Sequence, residues 1–514
     1  MLFNSTSFLF FFLPVALFGF YRIGKAGRLN FLIIWLIFTS FVFYSWWNFR
    51  FVFLLIGSIC FNYYTGKTIT SIQKHNKHYR KFILIVGIVF NLSIIGYFKY
   101  FNFFIDVVDN VVGTSVPTYQ IILPLGISFF TFQQVAFLID VFHEKIEKLD
   151  FLSYVAFVSF FPQLIAGPIV HYREISPQLN DPSLKRFNGL DLAAGITVFV
   201  IGLFKKVVIA DALALRAGPV FAMAENGEPL GFFAAWAGAL SFSLQLYFDF
   251  SGYSDMAIGL ARMFGLRLPV NFYSPYRAAS IIDFWRRWHI TLSRFLLEYL
   301  YIPLGGNRKG RKRTYGNLMG TMLLGGLWHG AGWTFVFWGG LHGFYLMLNH
   351  GWRRVWKRSI NTWWSAGVAR CFTLFFVTIA WVFFRAESFQ GARRVLEGML
   401  NLPSTMEERL GAMSVLMKTI GFQFQAAPMS RQNYTDMAWL VIWVLILWLV
   451  PNTQQIMQKQ YSAIETYHRT DDNSWQRSIL TWKASKAWGV MLGVLTAISI
   501  MHLSQPTEFL YFQF

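Results

Sequence analysis

The sequence of 514 residues contains few cysteines and few charged residues. Its two cysteines, Cys60 and Cys371, lie in apolar stretches, so neither a disulfide framework nor a cysteine-based metal site is indicated. Charged residues make up only 14% of the chain, against about a quarter in average soluble proteins. With 55% apolar residues, this composition excludes an ordinary water-soluble globule and predicts a protein embedded in a lipid bilayer.

Aromatic and basic residues are abundant instead. The chain contains 57 Phe, 20 Trp and 22 Tyr, and its 45 Lys and Arg against 25 Asp and Glu leave a formal charge of +20. A strongly basic chain can bind nucleic acid, but here the positive residues form short clusters between apolar runs. That pattern is typical of membrane topology, so membrane lipid is the expected surrounding and nucleic acid is not expected as a partner.

Apolar segments of about 20 residues are long enough to cross the bilayer as helices. The predicted spans are 6–21, 30–47, 50–64, 82–104, 120–140, 151–170, 189–214, 231–261, 317–333, 334–350, 365–385, 437–451 and 487–503. Segment 151–170 contains Pro162 and Pro168, and segment 290–304 is too short to span. Such segments are expected to be buried among helices or to line a cavity. The first run lacks the anatomy of a cleaved signal peptide and is expected to remain as the first span.

The clustered positive charges predict the orientation. Basic residues follow the first and third spans: Arg22, Lys25, Arg28, Lys67, Lys74, Lys77, Arg80 and Lys81. Both loops are therefore expected in the cytoplasm, which predicts an N-terminus on the outer side of the membrane. Polar loops near 386–436 and 452–486 separate the last two spans, so we expect a transmembrane core over 1–385, with a catalytic window about 245–350, and a C-terminal extension over 386–514 with two further helices.

Candidate chemistry concentrates between Asn271 and Gly343. His329 lies in a predicted span among glycines that allow close approach of backbone or ligand. It can be a core histidine bonded to a carbonyl, or a neutral imidazole acting as a general base. His289 adjoins tryptophans and can be an interfacial anchor, whereas His342 raises a metal or haem site for which no ligand set at suitable spacing is present.

Charged residues near the histidines have similar alternatives. Arg286 and Arg287, between Trp285 and Trp288, can hold phosphates and stack a base of a nucleotide-bearing donor, or can reflect the positive-inside rule alone. The polar interruption YFDFSGYSD contains Asp249, Tyr253 and Asp255. Its two carboxylates suggest either a proton relay or structural ion pairs with Arg277 or Arg286.

Several strings together resemble the membrane-bound O-acyltransferase (MBOAT) family, in its bacterial branch that O-acetylates alginate. They are PLGISFFTFQQVAFLIDV, FPQLIAGPIVHYRE, YFDFSGYSDMAIGL, DFWRRWHITLS, YIPLGGNRKG, GGLWHGAGWTFVFWGGLHG and the closing FLYFQF. The resemblance covers essentially the whole chain and is weakest over 386–486. It implies an all-α polytopic fold, with a ring of tilted transmembrane helices and re-entrant segments around a central funnel and tunnel.

The resemblance also implies roles for particular residues. His329 matches the family's invariant histidine and His289 its second functional histidine. Expected donor-binding residues are Trp285, Arg286, Arg287, Trp288 and Ser293. Expected tunnel or supporting residues are Asp249, Tyr253, Asp255, Asp283, Trp328, Gly326 and Gly330. No metal and no bound cofactor are expected.

The implied activity is O-acetyl transfer across the inner membrane. Acetyl from a cytoplasmic donor, acetyl-CoA, would pass to an extracytoplasmic polysaccharide such as alginate, with peptidoglycan or cellulose as alternative acceptors. A separate periplasmic or membrane-tethered acetyltransferase and the polysaccharide biosynthesis machinery are the expected partners. Rival functions are a flippase for lipid-linked sugars, for which duplicated halves with matching broken helices are lacking, and D-alanyl transfer to teichoic acid.

Overall fold

A computed structural model describes residues 1–114, 116–117, 119–355, 362–425, 431–460, 463–464, 480–504 and 510. Helices dominate this part of the chain. The first twelve are α1 Leu13–Lys25, α2 Leu29–Ser45, α3 Arg50–Ser71, α4 Lys77–Ile95, α5 Phe101–Val112, α6 Ile127–Phe142, α7 Phe151–Ser159, α8 Phe161–Leu164, α9 Tyr172–Leu179, α10 Gly189–Phe204, α11 Asp211–Glu225 and α12 Phe232–Met263.

The second half continues in the same way and adds one small sheet. Its helices are α13 Ile281–Trp285, α14 Ile290–Leu296, α15 Gly310–His329, α16 Trp333–Val355, α17 Trp363–Arg385, α18 Phe389–Gly398, α19 Ser404–Leu410, α20 Ala412–Thr419, α21 Arg431–Leu449, α22 Thr453–Ile456 and α23 Lys486–His502. Strands β1 (Asn401–Pro403) and β2 (Gln423–Gln425) pair in parallel, with Asn401 opposite Gln423.

Some helices contain single π-helical turns, which are frequently associated with functional sites. The π-helical turns are Phe8–Phe12, Gly96–Tyr100, Lys205–Ala210 and Leu297–Tyr301, and short 3₁₀ turns are Pro182–Lys185, Pro275–Arg277 and Gln458–Gln460. Helix α4 therefore continues through a π turn into α5, and α10 continues through another into α11.

Five helical segments in the described residues are long and apolar enough to cross a membrane: Phe8–Lys25, Lys77–Val112, Gly189–Glu225, Trp364–Arg385 and Thr435–Gln460. Other apolar helices are shorter, among them Leu29–Ser45, Ile127–Phe142 and Lys486–His502. Segment 151–170 is interrupted and buried, as expected from its prolines: Pro162 lies at the start of the short α8, residues 165–171 are irregular, and residues 161–170 are buried. The prediction of a span over 120–140 needs correction, since helix α6 begins only after Gly126.

Successive helices run back and forth, so the loops collect on two faces. One face, here called the basic face, carries the loops 26–28, 72–76, 143–150 and 305–309. Polar contacts hold these loops: Lys74 lies 2.7 Å from Glu144, and Lys185 of the 3₁₀ turn Pro182–Lys185 donates to the carbonyl of Gly27 at 3.0 Å. The opposite face carries loops 46–49, 113–126, 226–231 and 330–332.

The central helix of the fold is α12, which is buried along most of its length. It packs closely on α10 because glycines meet at the crossing. A Cβ atom at Gly202 would lie only 2.5 Å from the carbonyl oxygen of Gly252, and one at Gly195 would lie 2.7 Å from that of Gly259. Small residues at such crossings let two backbones approach, as in membrane helix pairs generally.

Candidate active site

His329 is the last residue of α15 and is buried, with 7% of its surface exposed. Helix α15 ends there because Gly330 has an extended backbone. Aromatic rings surround the imidazole: the ring centroids of Trp328, Trp338 and Phe384 lie 4.9, 5.0 and 5.3 Å away. The imidazole therefore lies in an apolar, water-poor environment.

His289 comes close to His329, although 40 positions separate them in the chain. Their ring centroids are 6.4 Å apart, and His289 is fully buried. Its backbone adopts the left-handed conformation, with φ of 42°, immediately before α14 begins. Such a conformation is costly for a residue other than glycine and is found disproportionately at functional sites.

Asn271 holds this strained residue in place. Its backbone carbonyl accepts a hydrogen bond from the Ile290 amide at 2.9 Å, and its side-chain oxygen lies 3.0 Å from Nδ1 of His289. The same oxygen accepts from the Thr291 hydroxyl at 2.9 Å, while the amide nitrogen donates to Ser254. Because that oxygen can only accept, Nδ1 of His289 carries the proton and the basic lone pair is on Nε2.

The third histidine, His342, extends the group on the far side of Trp338. The Trp338 ring lies 5.0 Å from both His329 and His342. Nδ1 of His342 accepts a hydrogen bond from Trp285 at 3.2 Å, and its ring stacks on Phe284. In the described residues, histidine, cysteine and acidic side chains do not gather in a group of three that could hold a metal ion.

The basic and aromatic segment 285–288 is divided between surface and core. Arg286 is exposed, whereas Arg287 pairs with Asp283 at 2.8 Å. Trp288 is buried and stacks on Phe284, and Ser293 donates to the Trp288 carbonyl. Arg353, near the basic-face end of α16, donates to the nearby Ser280, so this segment lies towards the basic face.

The carboxylates of α12 pair with lysines of the π turn Lys205–Ala210. Asp249 lies 2.7 Å from Lys206, and Asp255 lies 2.6 Å from Lys205. The structure therefore corrects the predicted partners, because Arg277 donates instead to two backbone carbonyls of the α21 region and Arg286 is exposed. Tyr253, between the two carboxylates, stacks on Phe3 at 4.8 Å.

The C-terminal extension contributes to the same buried pairs. The Thr453 hydroxyl donates to Asp255 at 2.6 Å, and the Leu510 amide donates to Asp249 at 3.3 Å. The motif residues 509 and 511–514 lie outside the described part of the chain.

A cavity of about 90 Å³ adjoins His329 on the side of the opposite face. Its lining includes Trp47, Lys99, the segment 123–129, Ile165 and Trp328. Lys99 donates to the carbonyl oxygens of Trp328 and His329 at 2.7 and 2.9 Å. The neighbouring Tyr100 donates to the carbonyl of Leu327 at 2.8 Å. Consecutive residues of one π turn thus bind the last three carbonyls of α15, which have no partners within that helix.

Glycines bring α15 and α16 together around His329. A Cβ atom at Gly326 would lie 2.3 Å from the Phe335 carbonyl oxygen, and one at Gly330 would lie 2.2 Å from the Phe335 ring. The hairpin therefore has no room for larger residues at these two positions.

Comparison with known proteins places this site in a family. The model of MBOAT, the membrane-bound O-acyltransferase family, matches residues 119–388, which is more than half of the chain. The chain belongs to this family. It is a polytopic, predominantly helical membrane protein, and the matched region contains His289, His329 and Asn271.

Named relatives of this MBOAT protein cover most of its length. It is 45% identical over 428 residues to the peptidoglycan O-acetyltransferase of Helicobacter pylori, covering 78% of this chain and 80% of that protein. It is 43% identical to a probable alginate O-acetylase of Pseudomonas aeruginosa, covering 78% and 75% of the two chains. The corresponding protein of Pseudomonas syringae pv. tomato is 42% identical with the same coverage.

Reasoning from the sequence missed several residues of this MBOAT site. Lys99, Lys205 and Lys206 interrupt apolar runs, and ionisable residues at membrane depth are functional candidates. That signal was present in the sequence for all three. Asn271 gave no comparable signal, because its role depends on the backbone conformation of His289.

Proposed function

We propose that this MBOAT protein takes acetyl from a cytoplasmic donor, acetyl-CoA, and passes it across the inner membrane for O-acetylation of an extracytoplasmic polysaccharide, alginate or a similar exopolysaccharide. The observation that carries the proposal is the pair of buried histidines, His289 and His329, with ring centroids 6.4 Å apart. The pair lies between a cavity towards the opposite face and the Trp285–Arg286 segment towards the basic face. The names of its relatives support acetyl as the group that is transferred.

The proposed chemistry uses the imidazole of His329. Transfer from a thioester to a hydroxyl requires a base that takes the hydroxyl proton, or a nucleophile that carries the acyl group between donor and acceptor, and imidazole can do either. His289 orients the donor or shares the proton. The surrounding Trp and Phe rings exclude water, which protects the activated acyl group from hydrolysis.

Donor binding is assigned to the basic face. Arg286 is exposed there and can attract the phosphates of acetyl-CoA, next to Trp285, which contacts His342. Arg287, held by Asp283, and Trp288 and Ser293 support this segment.

The proposed orientation places the basic face in the cytoplasm and the N-terminus in the periplasm, with the protein in the inner membrane. Its basic loops support this assignment. The cavity beside His329 then faces outward, where a separate periplasmic or membrane-tethered acetyltransferase and the polysaccharide machinery would receive the acetyl group.

The test uses inside-out membrane vesicles from a host strain that lacks the chromosomal gene and produces each variant at a matched level. Labelled acetyl-CoA is added to the exposed cytoplasmic face, and label in the polymer is measured. We expect His329→Gln to reduce labelling to background, while His75→Gln, an exposed histidine in the loop 72–76, retains wild-type labelling. Near-normal labelling by H329Q would contradict the proposed role of His329. Movement of lipid-linked sugar across the membrane in the absence of acetyl-CoA would favour a flippase.

The acceptor is identified in the same strains. Mild alkali releases ester-bound acetate from purified exopolysaccharide and, separately, from purified peptidoglycan. We expect the deletion strain to lose acetate from the exopolysaccharide. Loss of acetate from peptidoglycan alone would contradict this proposal and identify peptidoglycan as the acceptor.

A further inference from the structure

Lys99 is a lysine at membrane depth beside the candidate histidine, and the proposed function leaves it without a role. It belongs to the π turn Gly96–Tyr100 inside the long apolar segment Lys77–Val112. A charged residue in such a segment is costly and is found mainly at functional positions. Lys206, which is buried, and Lys205, which is partly buried, each face a carboxylate. In the described residues, Lys99 forms no ion pair; its ammonium group binds two carbonyl oxygens and lies 6.0 Å from the centroid of the Tyr100 ring.

The hydrogen bonds of Lys99 leave part of its ammonium group available. An ammonium group has three N–H donors, and two of them bind the carbonyls of Trp328 and His329. Those bonds fix the ammonium group at the end of α15, against the backbone carbonyl of His329 itself. Lys99 also lines the cavity of about 90 Å³ that His329 shares, so the third donor can reach a group bound there.

Acetyl transfer creates a negative charge on the carbonyl oxygen of the acetyl group. When the hydroxyl oxygen of the acceptor attacks the carbonyl carbon of the thioester donor, a new C–O bond forms and the carbonyl oxygen becomes an oxyanion. The hydroxyl proton passes to the imidazole of His329, the C–S bond then breaks, and the departing thiolate takes that proton. A fixed cation in a water-poor site stabilises the oxyanion without reorganisation of solvent.

From this geometry we propose that Lys99 stabilises the oxyanion of the acetyl group at His329. The inference rests on the proposed function. It adds to the two histidines a residue that stabilises the developing negative charge. The two carbonyl bonds position the ammonium group, and its third N–H donates to the acetyl carbonyl oxygen as charge develops. The substrate subsite in the cavity is therefore one for an acyl carbonyl group.

The test compares three substitutions of Lys99 in the vesicle assay, at saturating and at limiting acetyl-CoA. Lys99→Met removes both the charge and the donors, Lys99→Gln keeps a donor for the carbonyls without the charge, and Lys99→Arg keeps the charge. We expect K99M and K99Q to lower kcat by about 100-fold to 1000-fold, the usual effect of removing one oxyanion donor. The KM for acetyl-CoA should stay unchanged, because the interaction forms in the transition state, and K99R should recover most of the rate.

The matched control is Lys81→Met, which removes an exposed lysine of the same helical segment and should leave the rate unchanged. K99Q with wild-type kcat would overturn the proposal, as would a loss that appears in KM alone. If K99M fails to accumulate in the membrane, K99Q and K99R still carry the test. An active H329Q would refute the proposed function itself, whereas inactive H329Q together with fully active K99Q would refute only the role of Lys99.

Discussion

Replacement of Gly326 by alanine should displace His329 without touching its side chain. A Cβ atom at position 326 would lie 2.3 Å from the carbonyl oxygen of Phe335 and 3.2 Å from Cα of Gly339. Ordinary contacts begin near 3.4 Å, so α15 and α16 would have to separate by about 1 Å to accept it. The obstacle is backbone, which has no rotamer that could relieve the clash, and His329 follows only one turn later on α15.

Two separate losses follow from that displacement. Overpacking of this kind costs about 1–3 kcal/mol of folding free energy. A shift of about 1 Å in a group that must align with the reacting atoms costs on the order of 100-fold in rate. Gly320 provides the matched control, because it lies on the same helix and a Cβ atom there meets nothing within 4 Å. Gly320→Ala should retain activity and be equally or slightly more stable, since alanine is the better helix former.

Polymer labelling in vesicles and thermal unfolding of the purified protein in detergent measure the two effects separately. Gly326→Ala is expected to lower the melting temperature and to lose at least tenfold more labelling than Gly320→Ala. If the two variants label polymer equally and melt at the same temperature, then the close crossing of α15 and α16 does not position His329, and the reasoning is refuted.

Two further substitutions test other contacts. Thr453→Val removes the hydroxyl that donates to Asp255 at 2.6 Å. It should destabilise the protein by about 1.5–3 kcal/mol, as for other hydrogen bonds to charged groups. An unchanged melting temperature would show that this hydrogen bond does not stabilise the fold. Glu144 accepts hydrogen bonds from Lys74 and Arg80, which hold the pKa of its carboxyl below the usual 4.5. The stabilisation of the folded state by these contacts is therefore fully present above pH 4.5 and is lost as the pH falls through the lowered pKa. Glu144→Gln should therefore melt below the wild type at neutral pH, and a difference of the same size at about pH 3 would contradict this ionic contribution.

The membrane class and the position of His329 within an apolar segment could be predicted because both depend on local signals. Apolar runs of sufficient length indicate spans, and a histidine inside such a run can be recognised from the sequence alone. The family matched by the ordered motifs is confirmed by the match over residues 119–388. The prediction of a span over 120–140 was wrong around Gly126, because α6 begins only after it. The prolines of segment 151–170 correctly indicated buried, irregular backbone, but not where each helix would begin.

The partners of charged groups could not be predicted in the same way. Asp249 and Asp255 pair with adjacent lysines of a π turn, and an inserted π turn changes which side chains face a neighbouring helix. Register of this kind depends on how α10 and α12 cross. Likewise, nothing in the neighbourhood of His289 in the sequence indicates a left-handed backbone, because Asn271 stabilises it from 18 positions away.

The lysines at membrane depth then separate into two groups with different consequences. Lys205 and Lys206 face carboxylates, so their charges are compensated within the protein, and removing one partner would leave an uncompensated buried charge. Lys99 faces carbonyl dipoles at the end of α15, which hold its position, and within the described part of the chain it has no carboxylate partner. A protein retains such a charge at membrane depth at a cost, and the cavity beside His329 is the place where a transient negative charge would balance it. The +20 excess is therefore more than a topology signal, because at least one of its members lies where the proposed reaction develops an anion.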